Sequence, residues 1–270
     1  MNPFHYHRPK TLAEAQMLFR DAESPRFIAG GMTVLPSMKA RLLDAENLID
    51  LSKIEALQGI EARSGRLRIG ASTTHATIAN SAVVRQMLPA LATLAGGIAD
   101  RHVRNRGTLG GSLANNDPAA DYPAAALALD AQIVTSERTI AAADFFTGLF
   151  ETALTEAEII TAVDFSLPDR AAYTKHRHPA SGYAIVGVFA ARFGQHWQLT
   201  LTGSSAYGAI RLMAFEKQLV KGATPDGLDG VDIDDLPILE DPSFPIAYRR
   251  HLIKLMAKQA VAMTIDDVSI

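Results

Sequence analysis

The chain has 270 residues and a mass of 29.0 kDa, with 48% hydrophobic residues, 20% charged residues and a formal net charge of −3. This length gives room for roughly two domains with a large core, and the slightly acidic balance excludes a surface built to follow a nucleic acid backbone. Cysteine is absent, which excludes disulfides, thiolate zinc sites, cysteine-ligated iron–sulfur clusters and a cysteine nucleophile in this chain.

The N-terminal segment and the lengths of the apolar runs bear on the cellular location of the protein. The opening stretch, MNPFHYHRPK, lacks the apolar core of a signal peptide. No later run reaches the roughly 18 apolar residues that a membrane span needs. We therefore expect a cytoplasmic protein without a membrane span.

The first 55 residues alternate between helical and strand-like patterns. In TLAEAQMLF, Thr11 precedes Glu14 by the spacing of a capping box, and apolar residues follow at helical intervals. RFIAGGMTVLPSMKARL then predicts a strand, a glycine turn and a short helix, and NLIDLSKI predicts another short strand.

The middle third is mixed in the same way. LRIGA at 67–71 predicts a strand, Ser72–Thr74 in STTHATIAN are candidate helix caps, and LPALATLAGGIA predicts an apolar helix. YPAAALALD predicts a buried helix, and AQIVTS and EIITAVDFSLP predict strands, the latter closed by Pro168. The polar, basic stretch from Leu167 to Ala180 contains two prolines and predicts a domain boundary.

Beyond that stretch the pattern changes. The alternation of residue types predicts a hairpin of two strands, YAIVGVFAARF and HWQLTLTGSS. The next segment, IRLMAFEKQLV, predicts a helix. Residues 222–245 are acidic and loop-like, and IAYRRHLIKLMAKQAVAM predicts a closing amphipathic helix. A strand pair followed by helices predicts a smaller α+β unit.

Two glycine-rich segments are the strongest candidates for a binding site: Gly30-Gly31 and the run from Gly107 to Gly111. Glycine permits positive φ and close approach of the backbone to a ligand, and successive exposed N–H groups form a concavity that suits a pyrophosphate. Tight turns are the alternative for either pair alone. Neither segment matches the Rossmann or Walker phosphate patterns, so the anion is expected to be held in another way.

Two stretches, FIAGGMTVLPSMK and GTLGGSLANNDPAADYPAAALALDA, resemble the FAD-binding medium subunit of molybdenum hydroxylases, the carbon monoxide dehydrogenase and xanthine dehydrogenase family. Later segments such as GYAIVGVFAA and YRRHLIKLMAKQAV extend the resemblance over nearly the whole chain. It implies an α+β fold: a PCMH-type FAD-binding domain over 1–170, with subdomains of about 1–55 and 56–170, then a smaller α+β domain of sheet plus helices over 171–270.

The resemblance also assigns cofactor contacts residue by residue. The first loop would wrap the FAD pyrophosphate through the backbone of Ile28, Ala29, Gly30, Gly31, Met32, Thr33 and Val34. The other subdomain would contribute Val103, Thr108, Gly110, Gly111, Ser112, Asn115 and Asp121. The same resemblance implies that Ile159 and Ile160 lie against the flavin as an apolar pair. It also implies that Lys175 lies near the polar edge of the flavin and Tyr183 near its ring.

One position departs from the family pattern. Many members carry serine or aspartate after the first glycine pair, where this chain has Met32. The backbone role survives this change, but a polar side-chain contact there does not. A branch of the family holds an extra iron–sulfur cluster in this subunit through cysteines, and the lack of cysteine excludes that branch.

The histidines and basic residues carry weaker signals. His5 and His7, and His176 and His178, form two pairs that each lack the further ligands of a metal site, so no metal is predicted. RHVRNR, at 101–106, is either a solvated turn or a charged face for a partner or for the pyrophosphate.

Taken with these residues, the resemblance implies an oxidoreductase subunit that binds FAD without a covalent bond. Electrons would come from [2Fe-2S] clusters on a small partner and pass to an external acceptor, while a large molybdopterin partner carries the molybdenum cofactor, in a dimer of heterotrimers. No side chain here is expected to be catalytic, because the flavin carries the redox chemistry. The alternatives are a stand-alone flavin oxidase or reductase and an assembly module that has lost FAD.

Overall fold

The computed structural model describes residues 1–222 and 224–265. The first unit is a parallel sheet of three strands in the order β1-β3-β2, with two helices. Its elements are β1 (His5–His7), α1 (Leu12–Asp21), β2 (Pro25–Ile28), α2 (Val34–Lys39) and β3 (Asn47–Asp50).

The start of α1 follows the predicted capping chemistry. The Thr11 hydroxyl accepts the N–H of Glu14 at 3.2 Å, and the Glu14 carboxylate accepts the N–H of Lys10 at 2.8 Å. In a capping box this carboxylate accepts the N–H of the cap residue, whereas here it accepts the N–H of the residue before the cap. Helix α1 then buries Ala15 against Ile49 of β3 in the core of this unit.

The second unit is a five-stranded antiparallel sheet with helices packed on it. Its strands are β4 (Ile60–Arg63), β5 (Arg66–Gly70), β6 (Gln132–Thr135), β7 (Thr139–Ala141) and β10 (Ile160–Ser166), in the order β4-β5-β10-β6-β7. A separate hairpin pairs β8 (Phe146–Gly148) with β9 (Glu151–Thr152). Its helices are α3 (His75–Asn80), α4 (Ala82–Met87), α5 (Pro89–Gly96), α6 (Arg101–Arg104), α7 (Leu109–Asn115), α8 (Tyr122–Ala128) and α9 (Ala142–Phe145).

The third unit is an antiparallel sheet covered by two helices. Strands β11 (Arg170–Arg177), β12 (Ala184–Phe193), β13 (His196–Thr202) and β14 (Ile210–Arg211) pair in chain order. The covering helices are α10 (Met213–Val220) and α11 (Ile246–Ile265), and α11 packs on β11 and β12. Of residues 222–245, residue 223 lies outside the described residues, and Pro225–Leu228 form a short 3-10 turn.

Most of the stretch from Leu167 to Ala180, where the sequence predicts a domain boundary, is strand β11 of the third unit. Despite its prolines and basic residues, this stretch contains three consecutive buried residues, Ala172, Tyr173 and Thr174. Tyr173 also joins the core of the second unit, together with Phe189 of β12. The second and third units therefore share a core, in which α5 packs on β11 and α8 packs on β12 and β13.

Within residues 1–222 and 224–265, no helix has the length and apolar character needed to cross a membrane.

Candidate cofactor site

The first glycine loop, residues 28–34, joins β2 to α2. Its carbonyl groups at Gly31 and Thr33 accept the N–H groups of Leu35 and Ser37 at 3.1 and 3.0 Å. Gly31 has a φ of +75°, a left-handed backbone conformation that glycine adopts more easily than other residues. Within the described part of the chain, the N–H groups of residues 30–34 donate to no acceptor. The loop therefore offers a run of open backbone donors, the arrangement that suits a phosphate.

Gly30 brings this loop against the second one. A Cβ at Gly30 would lie 2.1 Å from the carbonyl oxygen of Arg106 and 2.8 Å from Cα of Gly107. Ala29 lies close to the other end of the second loop, since its Cβ is 4.0 Å from the place of a Cβ on Gly111. The structure thus brings together the two loops that the sequence singled out.

In the second loop, the backbone N–H groups are mostly occupied within the chain. Gly107 donates to Val103 O at 2.7 Å, Gly110 to Ala71 O at 2.8 Å, and Gly111 to the hydroxyl of Thr108 at 3.2 Å. The Thr108 N–H has no acceptor in the described residues. The open amide donors therefore belong mainly to the first loop.

The glycines of the second loop permit close packing instead. A Cβ on Gly110 would lie 2.6 Å from the Cβ of Ala71, and one on Gly107 would lie 2.5 Å from Nε2 of His75. These contacts hold α7 and its preceding turn against the end of β5 and the start of α3. What this loop presents to a ligand is the outer surface of α7, where Gly111 is exposed and Ser112 and Asn115 are half-buried.

A cavity of about 240 Å³ opens beside the meeting point of the loops. Ala29 and Thr108 line it, and most of the remaining wall carries hydroxyl, amide or guanidinium groups, from Ser52, Gln58, Ser72, Thr73, Thr74, Thr77, Asn105 and Arg106. The sequence predicts Ser72–Thr74 only as helix caps, and Thr74 fills this role by accepting the N–H of Thr77 at 3.2 Å. The run of hydroxyl side chains in STTHAT is the sequence signal for their place in the cavity wall.

A second cluster joins α8 to β11. The Lys175 ammonium lies 2.8 and 3.0 Å from the two carboxylate oxygens of Asp121, and the Tyr173 hydroxyl donates to the same carboxylate. Burial raises the pKa of Asp121, and the charge of Lys175 opposes that rise. Lys175 also donates to the carbonyl of Gly97 at 3.4 Å. The two residues expected to meet the cofactor are therefore paired with each other.

The other predicted contacts lie at the edges of these features. Tyr183 is 42% exposed in the turn before β12, and burial together with the charges of Asp117 and Asp121 raises its pKa. Ile159 and Ile160 are both buried: Ile159 packs in the core of the first unit and Ile160 in that of the second. Val103 is half-buried in α6.

His75 supports the second loop from beneath. Its backbone N–H donates to Gly107 O at 3.0 Å, and its ring lies 5.3 Å from that of Tyr122 between centroids. Burial, with a smaller contribution from the charge of Arg104, lowers the pKa of His75 to about 4. The imidazole is therefore neutral at neutral pH.

This buried imidazole is expected to make the fold sensitive to acid. Between pH 6.5, where the residue ordinarily titrates, and about 4, the unfolded chain binds a proton that the folded chain does not. The free energy of unfolding should therefore decrease as the pH is lowered from 6.5 to about 4. This residue contributes up to about 1.4 kcal/mol per pH unit to that decrease. His75→Leu should flatten that dependence in urea unfolding, whereas His102→Leu, at an exposed histidine, should keep it. Equal pH dependence in all three proteins would contradict this expectation.

The fold and the open amide donors of the first glycine loop are typical of proteins that bind a phosphorylated cofactor. Comparison with known families gives the particular one: residues 2–168 match the family described as "FAD binding domain in molybdopterin dehydrogenase". The chain belongs to this family, and the predicted resemblance is confirmed.

Known proteins are similar to this chain over most of its length. The carbon monoxide dehydrogenase medium chain of Hydrogenophaga pseudoflava is 35% identical over 243 residues, covering 82% of this chain and 84% of the relative. The structure of carbon monoxide dehydrogenase from that organism, lacking the Mo-pyranopterin moiety, matches with a TM-score of 0.89 and 32% identity over 97% of each chain. That of quinoline 2-oxidoreductase from Pseudomonas putida 86 matches with a TM-score of 0.87 and 26% identity, also over 97% of each.

These matches confirm the predicted fold class, a mixed α and β chain with an FAD-binding domain. They also confirm the class of enzyme: the chain is an FAD-binding medium subunit of the molybdenum hydroxylase type, the flavoprotein part of an oxidoreductase.

Proposed function

We propose that this chain carries electrons through a non-covalently bound FAD, from iron–sulfur clusters on a small partner chain to an external acceptor, while a large molybdopterin partner hydroxylates the substrate. The observation that carries the proposal is the first glycine loop, where the N–H groups of residues 30–34 lack acceptors in the described chain. The relatives support the rest, because a chain named "medium" implies larger and smaller companions.

The residues present fit the parts of FAD. The open N–H groups of the first loop suit the pyrophosphate. Arg106, whose backbone carbonyl lies against Gly30, is proposed to add a positive charge. The hydroxyl groups of the neighbouring cavity suit the sugar and ribityl hydroxyls. When bound, FAD supplies the electron transfer that no side chain of this protein provides.

We assign electrostatic tuning of the flavin to Lys175 and Asp121. A buried ammonium stabilises negative charge that develops nearby, so Lys175 is expected to favour the reduced flavin. Asp121 orients that ammonium and offers an acceptor to a ribityl hydroxyl. Tyr183, Ile159 and Ile160 are proposed to border the ring, as the family resemblance implies.

The partners and the location belong to the same proposal. A chain without cysteine has no thiolates for a [2Fe-2S] cluster, so the clusters are assigned to a partner chain. The family resemblance assigns the molybdenum cofactor to another partner chain. We propose a dimer of heterotrimers in the cytoplasm.

Replacement of Gly111 tests the proposed site. A Cβ there would lie 2.9 Å from the Thr108 hydroxyl and 4.0 Å from Ala29 Cβ, so Gly111→Leu places a bulky group where the two loops face each other. FAD affinity should fall at least about tenfold, or about 1.4 kcal/mol, with little change in far-UV circular dichroism.

The matched control is Gly230→Leu, because a Cβ at Gly230 meets no described atom within 4 Å. FAD content per chain is measured by absorption in both variants. Equal FAD content in the Gly111→Leu protein and the wild type would refute the assignment of this surface to the cofactor.

A further inference from the structure

Tyr173 is a buried polar group that the family resemblance did not assign. Its side chain is 7% exposed, and its ring lies 6.0 Å from that of Phe189 between centroids, within the core shared by the second and third units. Its hydroxyl donates to Asp121 Oδ1. A tyrosine in this setting uses its ring for packing and its hydroxyl for one specific partner.

The neighbouring strand leaves room for this hydroxyl. Gly187 lies within β12, opposite Lys175, and a Cβ there would be 2.5 Å from the Tyr173 hydroxyl oxygen and 2.9 Å from Cγ2 of Thr202. Glycine weakens the interior of a strand, and it often marks a close approach of another group. Here the group that approaches is the hydroxyl that contacts Asp121.

Tyr173 also determines how Asp121 presents its charge. Asp121 is 4% exposed, and Lys175 contacts both of its oxygens. Burial, together with the charge of Asp121, raises the pKa of Tyr173 well above its ordinary value, so the hydroxyl stays protonated and acts as a donor. A donor to a carboxylate withdraws part of its negative charge and fixes its orientation.

We propose that Tyr173, in the space left by Gly187, is a positioning residue that sets the reduction potential of the bound flavin through Asp121 and Lys175. The inference rests on the proposed function, because it needs FAD beside this pair. Without the hydroxyl, the Asp121 carboxylate keeps more of its negative charge and offsets more of the field of Lys175. The bound flavin is then harder to reduce.

The test is the midpoint potential of FAD bound to the full chain, measured by spectroscopic redox titration. Tyr173→Phe is expected to lower the equilibrium constant for two-electron reduction roughly tenfold, a shift of about 30 mV to more negative potential. Gly187→Ala should shift the potential in the same direction, and it should have a smaller effect in the Tyr173→Phe background because the displaced hydroxyl is already gone.

The matched control is Tyr122→Phe. Tyr122 is fully buried next to Asp121 in the sequence, and its hydroxyl has no hydrogen-bond partner among the described residues. This variant should leave the potential unchanged. A merely structural role for Tyr173 would change the melting temperature and FAD affinity while leaving the potential at the wild-type value.

The outcomes separate this inference from the proposed function. A wild-type chain that binds FAD, together with a Tyr173→Phe protein of unchanged potential, would overturn the inference and leave the proposed function standing. A wild-type chain that neither contains nor takes up FAD would overturn both. A negative shift confined to Tyr173→Phe and Gly187→Ala is the expected result.

Discussion

Gly30→Ala is expected to abolish FAD retention and to destabilise the fold. The added Cβ would sit 2.1 Å from the Arg106 carbonyl oxygen, and both groups belong to backbone that is held in place. On the Arg106 side, Gly107 is fixed by bonds to Val103 and His75, at 2.7 and 3.0 Å. The two loops must therefore separate.

The size of this effect follows from the rigidity of the contact. Overpacking costs about 1–3 kcal/mol where neighbours can adjust, and backbone neighbours adjust less than side chains do. For a chain of this length, each kcal/mol corresponds to a change in melting temperature of about 2–4 °C. FAD per chain, measured by absorption after purification, should fall below about a tenth of the wild-type value, since a loss of 1.4 kcal/mol is already tenfold.

Gly96→Ala is the control for this substitution. A Cβ there has its nearest neighbour at 3.7 Å, an ordinary contact, at the end of α5. This variant should retain FAD and its melting temperature. A Gly30→Ala protein with wild-type FAD content would show that the close contact between the loops is not needed for binding.

Asp121→Asn is expected to cost about 3–5 kcal/mol of the free energy of unfolding, because it leaves the buried ammonium of Lys175 without its counter-charge. The exposed fractions of the two side chains are only 4% and 8%, so water does not replace the lost partner. Asparagine keeps an oxygen that can accept from Tyr173, which confines the change to the charge. Urea unfolding of the FAD-free chain measures the effect without a contribution from the cofactor.

A second variant separates the charge effect from general damage. Asp121→Asn combined with Lys175→Met removes both charges, and replacing a whole buried ion pair is often close to neutral. The double variant should therefore be more stable than Asp121→Asn alone. A single variant within about 0.5 kcal/mol of the wild type, the range of ordinary surface substitutions, would contradict the buried pair.

Much of the fold could be predicted because its signals are local. The Thr11 cap, the glycine turn after β2, and the alanines of α8 all act within a few residues, and each occurs where the sequence indicates. The β12–β13 hairpin occurs where two strand-like runs follow each other closely in the sequence. Family resemblance then supplied the identity of the cofactor, which local patterns alone do not give.

What the sequence did not reveal depends on distant partners. Two N–H groups of the second glycine loop, those of Leu109 and Gly110, donate to the carbonyls of Thr73 and Ala71, which follow β5 and lie far away in the chain. The burial of β11 is not visible in LPDRAAYTKHRHPA, because Tyr173 packs in a core formed with residues of the second unit. The pairing of Asp121 with Lys175 likewise joins residues 54 positions apart.

The most direct test of the central claim is an absorption spectrum of the chain purified alone, followed by release of the chromophore on heating and determination of its mass. The expected result is a yellow protein that releases FAD and shows no dehydrogenase activity until its small and large partners are added. A colourless protein that fails to take up added FAD would contradict the claim.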